Sequence, residues 1–351
     1  MAAFTSFSGK TRVVANDAAL RQATFSEIPF ISLSSPLPEL IDQLRNACTK
    51  VGFFYIKDHD VPQKVIDDTF ECAQNFFSLE REVKDEVHYK KSAILRGYEP
   101  PAEVRTDETK KADMNEAFNW GYSSEIDPVV SSSNESLEET QVPNAMTGPN
   151  AWPTVRGFKP TLAAYYGEIL TLARRLIRLF AQVLNLPPTY FDHMFTHPGA
   201  MCRILHYPPQ PPASSAFGIG AHTDIECFTI LCQGTQPALQ ILNTDGEWIS
   251  APPIPGTFVV NIGDMLSYWS NDLFVSTVHR VLNVTGEERY SIPFFMGPNY
   301  ETLVEPLEGC VKEGKKNYES VLAGDYVWRR LAKSRFSDEE YQKMFSKEVT
   351  A

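Results

Sequence analysis

Long apolar runs are missing from this chain. No stretch of its 351 residues stays apolar long enough to span a bilayer, which excludes a helical membrane protein. Basic charge is also scarce: 32 Lys and Arg against 44 Asp and Glu leave a formal net charge of -12. Phosphate-rich partners need a basic footprint, so neither a nucleic acid nor a membrane surface is an expected partner. The six cysteines, at 48, 72, 202, 227, 232 and 310, show no C-x-x-C pair and no framework spacing. They read as small buried hydrophobes in a reducing compartment. Met1-Ala2-Ala3-Phe4 has no cationic or apolar leader character, and Glu348-Val349-Thr350-Ala351 carries no anchor, so a cytoplasmic protein is expected. Internal repeats are absent too, and no composition shift demands a second independent domain. The length suits one large domain or two small ones.

What is present falls into two textures. The first two dozen residues lack periodicity and predict a loose arm, and Ile28 to Leu33 predicts a short outer strand. Leu40, Ile41, Leu44 and Cys48 recur at helical spacing between Leu37 and Lys50. Gly52 stops that helix, and Phe53-Phe54-Tyr55-Ile56 is β-prone. Pro62 opens a second helix through Val65, Ile66, Phe70 and Phe77. Arg96 to Pro101 predicts a turn, and 131–150, rich in Ser, Glu, Asn and Pro, predicts an exposed loop. The glycosylation sequons at Asn134 and Asn283 are read as chance. Thr161 to Leu186 predicts the longest helix, a buttress for a sheet. After Met201, short apolar runs predict strands at 202–207, 228–231, 239–242, 258–261, 278–281 and 290–295, with a hairpin turn at 243–248. So many short strands suggest a sandwich or barrel. Helices return around 318–331 and 338–345.

The chemistry gathers around Gly218-Ile219-Gly220-Ala221-His222-Thr223-Asp224. A histidine and a carboxylate two apart on extended backbone project to one face, so His222 and Asp224 can grip one divalent metal. Alone, an H-x-D triplet is weak. Its weight comes from His279 further on, followed by Arg289-Tyr290-Ser291. Two imidazoles and one carboxylate form the facial donor set that suits Fe(II) and leaves open positions. Arg289 offers a planar fork matched to a carboxylate, and Ser291 shares its strand face. The remaining histidines, His59, His88, His193, His197 and His206, are assigned no metal.

In this order His222-x-Asp224, His279 and Arg289-x-Ser291, with Asn261-x-Gly263-Asp264 and Ser270-Asn271-Asp272, resemble the isopenicillin N synthase-like family of Fe(II)/2-oxoglutarate-dependent dioxygenases. Gly52-Phe53-Phe54-Tyr55, His59, Phe76-Phe77-Ser78-Leu79 and Arg96-Gly97-Tyr98 extend the resemblance, which runs from about Ile28 to Leu331. The stretch Arg203-Ile204-Leu205-His206-Tyr207-Pro208 is similar to fungal thymine hydroxylase and bacterial ethylene-forming enzyme. Leu205 departs there from the asparagine of plant members.

The resemblance implies an α+β fold: a double-stranded β-helix (jelly-roll) core with an α-helical N-terminal region and C-terminal helices. Residues 1–199 are then an N-terminal mixed α/β region packing on the core, 200–305 the core, and 306–351 a C-terminal helical segment. It implies Fe(II), 2-oxoglutarate as co-substrate and O2, with His222, Asp224 and His279 as catalytic metal ligands. Arg289, Ser291 and Tyr207 would hold 2-oxoglutarate. Substrate contacts are expected at Arg203, Phe295, Glu116 and Phe118, with Asn119 nearby. Arg203 precedes Tyr207 by four and shares its face, and Phe295 shares the parity of Arg289. Each has a plainer alternative: a structural ion pair for Arg203, ordinary loop positions for Glu116, Phe118 and Asn119, and core packing for Ile225 and Phe228. The implied reaction oxidises a small molecule by hydroxylation, desaturation or cyclisation in specialised metabolism, releasing succinate and CO2. An iron oxidase that needs no 2-oxoglutarate and a non-catalytic receptor on the same fold are the alternatives. Either a monomer or a homodimer is compatible with the sequence.

Overall fold

Alternation of side chains turns the strand segments into two walls. The computed structural model describes residues 2–5, 9–24, 27–107, 112–132, 146–210, 217–283 and 285–345. Among them the main strands form an eight-stranded and a five-stranded sheet. The large sheet runs Phe30–Ser32, Phe53–Lys57, Phe258–Ile262, Phe228–Gln233, Arg289–Met296, Met201–Tyr207, Glu116–Gly121 and Gly97–Glu99. The small sheet runs Asn16–Gln22, Glu247–Ser250, Leu239–Leu242, His279–Val281 and Ile219–His222. Together they make the expected jelly roll.

Both faces of the large sheet are buried, so its strands read as continuous apolar runs rather than alternating ones. Phe53, Tyr55 and Val259 point inward and pack with Leu239, Ile241 and Ile249 of the small sheet. At the other end Leu205, Tyr207 and Ala117 meet Val281. The intervening residues, Phe54, Ile56, Phe118, Cys202 and Ile204, face the helices instead. The helices Leu37–Lys50, Gln63–Phe77 and Phe158–Val183 cover that outer face. The last is the expected buttress: Tyr166 stacks edge-on to Phe294 at 5.2 Å and Phe180 to Phe228 at 5.1 Å. No described helix is long and apolar enough to cross a membrane.

The structure corrects several expectations. The N-terminal arm is not loose: Ala2–Thr5 pairs with Thr11–Val14, and Asn16–Gln22 adds a parallel strand to Glu247–Ser250. Asn16–Gln22 is ordered by an open sheet edge and Ala2–Thr5 by its own hairpin partner, and neither leaves a periodic trace in the arm. The turn expected at 96–101 contains the strand Gly97–Glu99, whose backbone pairs with Ala117 to Asn119. Gly97 has φ of 116°, and a Cβ there would lie 2.2 Å from the Val87 carbonyl oxygen. The C-terminal helix spans Ala323–Arg335 rather than 318–331, because Val321–Leu322 pairs with Leu303–Val304 first. In the loop expected at 131–150, residues 133–145, with the Asn134 sequon, lie outside the described residues, as does Val284 of the second sequon.

Candidate active site

The two sheets leave a cavity of about 580 Å³ between them. The small sheet supplies the metal-ligand candidates. His222 ends the strand Ile219–His222, Asp224 sits in the turn just beyond, and His279 begins the neighbouring strand opposite His222. Each imidazole Nε2 lies 3.5 Å from Asp224 Oδ1. The three ligand atoms all fall within 4.8 Å of one another.

What surrounds the triad fixes which atom faces inward. His222 Nδ1 donates to the Gly220 carbonyl at 2.8 Å, and His279 Nδ1 to the Thr277 carbonyl at 3.1 Å. A carbonyl only accepts, so both Nδ1 atoms carry the proton and both Nε2 lone pairs are presented to a metal. Asp224 Oδ2 accepts from Asn261 Nδ2 at 2.6 Å and from the Thr229 hydroxyl, leaving Oδ1 toward the histidines. Burial would push the Asp224 carboxyl up, but before a metal displaces their Nε2 protons the charged forms of His279 and His222 more than offset it and hold it well below the usual range. This donor set fits a divalent iron with open positions.

The two glycines of the motif are close-approach positions. A Cβ on Gly218 would lie 2.7 Å from the Tyr207 ring, and one on Gly220 would lie 2.5 Å from Asp107 Cβ. The Asp113 carboxylate accepts from Gly220 N at 3.0 Å and from the Thr106 hydroxyl at 2.6 Å, tying the 104–107 loop to this strand. Burial pushes the Asp113 carboxyl up, and those hydrogen bonds pull it partly back.

The large sheet supplies the second set. Arg289, Ser291, Pro293 and Phe295 alternate into the cavity from one strand, and Met201, Arg203, Leu205 and Tyr207 from the next. Arg289 is 1% exposed, and its guanidinium lies over the Tyr207 ring at 4.6 Å. Its Nη1 reaches Ser291 Oγ at 3.3 Å, while Nε and Nη2 are buried without a partner among the described residues. Two unsatisfied donors on one buried planar fork fit an incoming carboxylate. A carboxylate-bearing ligand therefore suits this wall.

The structure brings together most of the residues singled out in the sequence: His222, Asp224, His279, Arg289, Ser291, Tyr207, Arg203, Phe295 and Ile225 all line one cavity. Glu116 and Phe118 are corrections: neither lines it. Glu116 faces the opposite side of the sheet, where it accepts from Lys84 at 2.9 Å, Tyr98 at 2.5 Å and His206 at 2.7 Å. Phe118 is buried among Phe76, Trp152 and Phe158. One residue of parity decides this, because Asn115 on the other phase does line the cavity. Asn119 is buried on Gly97, and Phe228 belongs to the outer core. Arg203 also makes the ion pair expected as its alternative, 2.6 Å from Glu99. Sequence reasoning missed Thr229, Asp113, Asn115 and the C-terminal residues Arg330 and Arg335, which distant segments carry to the site. Asn261 was visible only as part of a motif, without its task.

Known proteins share this architecture. Residues 198–298 match the 2OG-Fe(II) oxygenase superfamily, and residues 28–155 match the region described as non-haem dioxygenase in morphine synthesis N-terminal. A 2-oxoglutarate-Fe(II) type oxidoreductase of Metarhizium rileyi is 37% identical, covering 89% of this chain and 88% of that protein. A homoarginine-6-hydroxylase of Glycine max is 33% identical over 86% of this chain and 96% of its own length. The crystal structure of full-length Neurospora crassa thymine hydroxylase with alpha-KG and 5-formyluracil superposes with a TM-score of 0.74 at 28% identity, covering 88% of this chain and 96% of that one.

Proposed function

This chain belongs to the 2-oxoglutarate/Fe(II) oxygenase superfamily, and from that premise we propose that His222, Asp224 and His279 hold its iron while Arg289, Ser291 and Tyr207 hold 2-oxoglutarate. The protein is an Fe(II)- and 2-oxoglutarate-dependent oxidoreductase that acts on a small molecule with release of succinate and CO2. Bound iron supplies the O2 activation, and the protein's own residues do the positioning. Gly220 and Thr277 orient the imidazoles, Asn261 and Thr229 occupy the outer carboxylate oxygen, and Arg289 fixes the far end of the co-substrate. The single observation that carries the residue assignment is the inward presentation of both Nε2 atoms and Asp224 Oδ1 at one point.

Phe295 and Arg203, which line the cavity, are assigned to the substrate; specialised metabolism and a cytoplasmic setting are the context we assign. The negative net charge supports a small-molecule partner over a nucleic acid. His222→Ala, Asp224→Ala and His279→Ala are each expected to lose iron and to abolish succinate release while keeping a wild-type circular dichroism spectrum. Full iron content and succinate release in any one of them removes that residue from the triad.

A further inference from the structure

The chain is acidic, with a net charge of -12, yet Arg105, Arg203, Arg330, Lys333 and Arg335 line the cavity in addition to Arg289. Two of these cations have a carboxylate of their own: Arg330 meets Asp264 at 3.4 Å and Lys333 meets Asp338 at 2.8 Å. Arg203 and Arg335 instead share one. Arg203 Nη2 lies 2.6 Å from Glu99 Oε2, and Arg335 Nε lies 2.8 Å from Glu99 Oε1. The Glu99 side chain is only 2% exposed and those of Arg203 and Arg335 only 16% and 3%, so little water reaches the cluster. Burial pushes the Glu99 carboxyl up, but Arg203 and Arg335 bring it below its ordinary value, so it is ionised.

Two guanidiniums against one carboxylate leave a surplus positive charge in a poorly solvated place. Such a charge is costly unless a counter-ion meets it. The geometry shows where one is wanted: Arg203 Nε is buried with no partner among the described residues. The 2-oxoglutarate wall does not supply it. Arg289 pairs across the sheet with Tyr207, four residues along the strand from Arg203, or about 13 Å at 3.3 Å per residue. Arg203 lies closer to the triad level of the sheet. It is two residues from Met201, which faces Phe295, which in turn faces the Thr229 that bonds Asp224.

We propose that Arg203 and Arg335, held together by Glu99, form a binding site for an anionic group of the substrate, and that the substrate is a carboxylate-bearing small molecule. The inference deepens the oxygenase reading and rests on it. Leu205, Pro293 and Phe295 provide apolar wall for the rest of the molecule. Because Arg335 comes from the C-terminal helix Ala323–Arg335, the site is complete only with that helix docked.

The test uses the full chain loaded anaerobically with Mn(II) and saturating 2-oxoglutarate, so that the Arg289 wall is already filled. Phenylacetate is titrated calorimetrically against phenylacetamide, and cyclohexanecarboxylate against its amide. At least one acid is expected to bind tenfold or more tightly than its amide. Arg203→Gln and Arg335→Gln should each erase that preference with the dissociation constant for 2-oxoglutarate changed less than twofold, and Arg335→Lys should retain it within threefold. Equal binding of acid and amide by the wild type, no binding of either acid, or a preference that survives both glutamine variants overturns the proposal. The wild-type comparison stands even where a variant fails to fold. Failure of the wild type to bind Mn(II) and 2-oxoglutarate would instead overturn the oxygenase reading, so the two failures are distinguishable.

Discussion

Asp224 gives each oxygen a separate task, one toward the two histidines and the other toward Asn261 and Thr229. At this scale the sequence was most informative where chemistry needs particular residue types at fixed spacing. The H-x-D triplet, the later histidine and the Arg-x-Ser pair could all be read from their order alone. Their supports could not, because Thr229 and Asn261 reach Asp224 through strand pairing that no local pattern encodes. Arg289 provides the residue-scale prediction. Its fork has two buried donors free for a carboxylate, and lysine keeps the charge but not the paired geometry. Arg289→Lys is therefore expected to weaken 2-oxoglutarate binding by about 1.5–3 kcal/mol, the usual worth of a charge-assisted hydrogen bond. Titration of 2-oxoglutarate into the Mn(II)-loaded variant checks this, and an unchanged affinity would separate Arg289 from the co-substrate.

Elements were legible when their own apolar spacing made them and obscure when a neighbour did. Helix Leu37–Lys50 and helix Phe158–Val183 carry their burial patterns in sequence, and both form close to where periodicity places them. The strands Asn16–Gln22 and Gly97–Glu99 exist because Glu247–Ser250 and Glu116–Gly121 offer edges to pair with. Glu116 and Phe118 were misplaced for a related reason: a strand buried on both faces hides its parity. Burial also makes some links between elements testable. Asp127, fully buried, takes both arms of Arg174 from the long helix at 2.7 Å each. Burial raises its carboxyl, but Arg174 offsets this and holds it below the ordinary value. A depressed folded pKa means the pair stabilises fully above the unfolded pKa of about 3.9 and fades as pH falls through the folded one. Asp127→Asn should then cost about 3–5 kcal/mol at neutral pH, since it strands a largely buried guanidinium. Urea unfolding at pH 7, 5 and 3 should show that gap unchanged between the first two and narrowed at the third. A gap that widens in acid would mean the pair does not carry the stability.

For the whole molecule, the question is whether the regions marked out at 1–199, 200–305 and 306–351 behave as separate bodies. Strand pairing argues that they do not. Phe258–Ile262 pairs with Phe53–Lys57, and Met201–Tyr207 pairs with Glu116–Gly121, so N-terminal strands complete both sides of the core sheet. The C-terminal helix is bound in the same way: Arg335 donates to Glu99, and the Tyr326 hydroxyl donates to Asp264 at 3.0 Å. Removing the flanking regions would expose two apolar strand edges and the sheet face that the long helix covers, and such surfaces aggregate rather than fold. The prediction is that residues 200–305 expressed alone are insoluble or molten. The full chain should unfold in one calorimetric transition whose van't Hoff and calorimetric enthalpies agree. The site proposed for metal and 2-oxoglutarate lies between the two sheets, so both ligands should raise the midpoint of that single transition without splitting it. Two resolved transitions, with only one of them moved by the ligands, would show that the core holds its site without its neighbours.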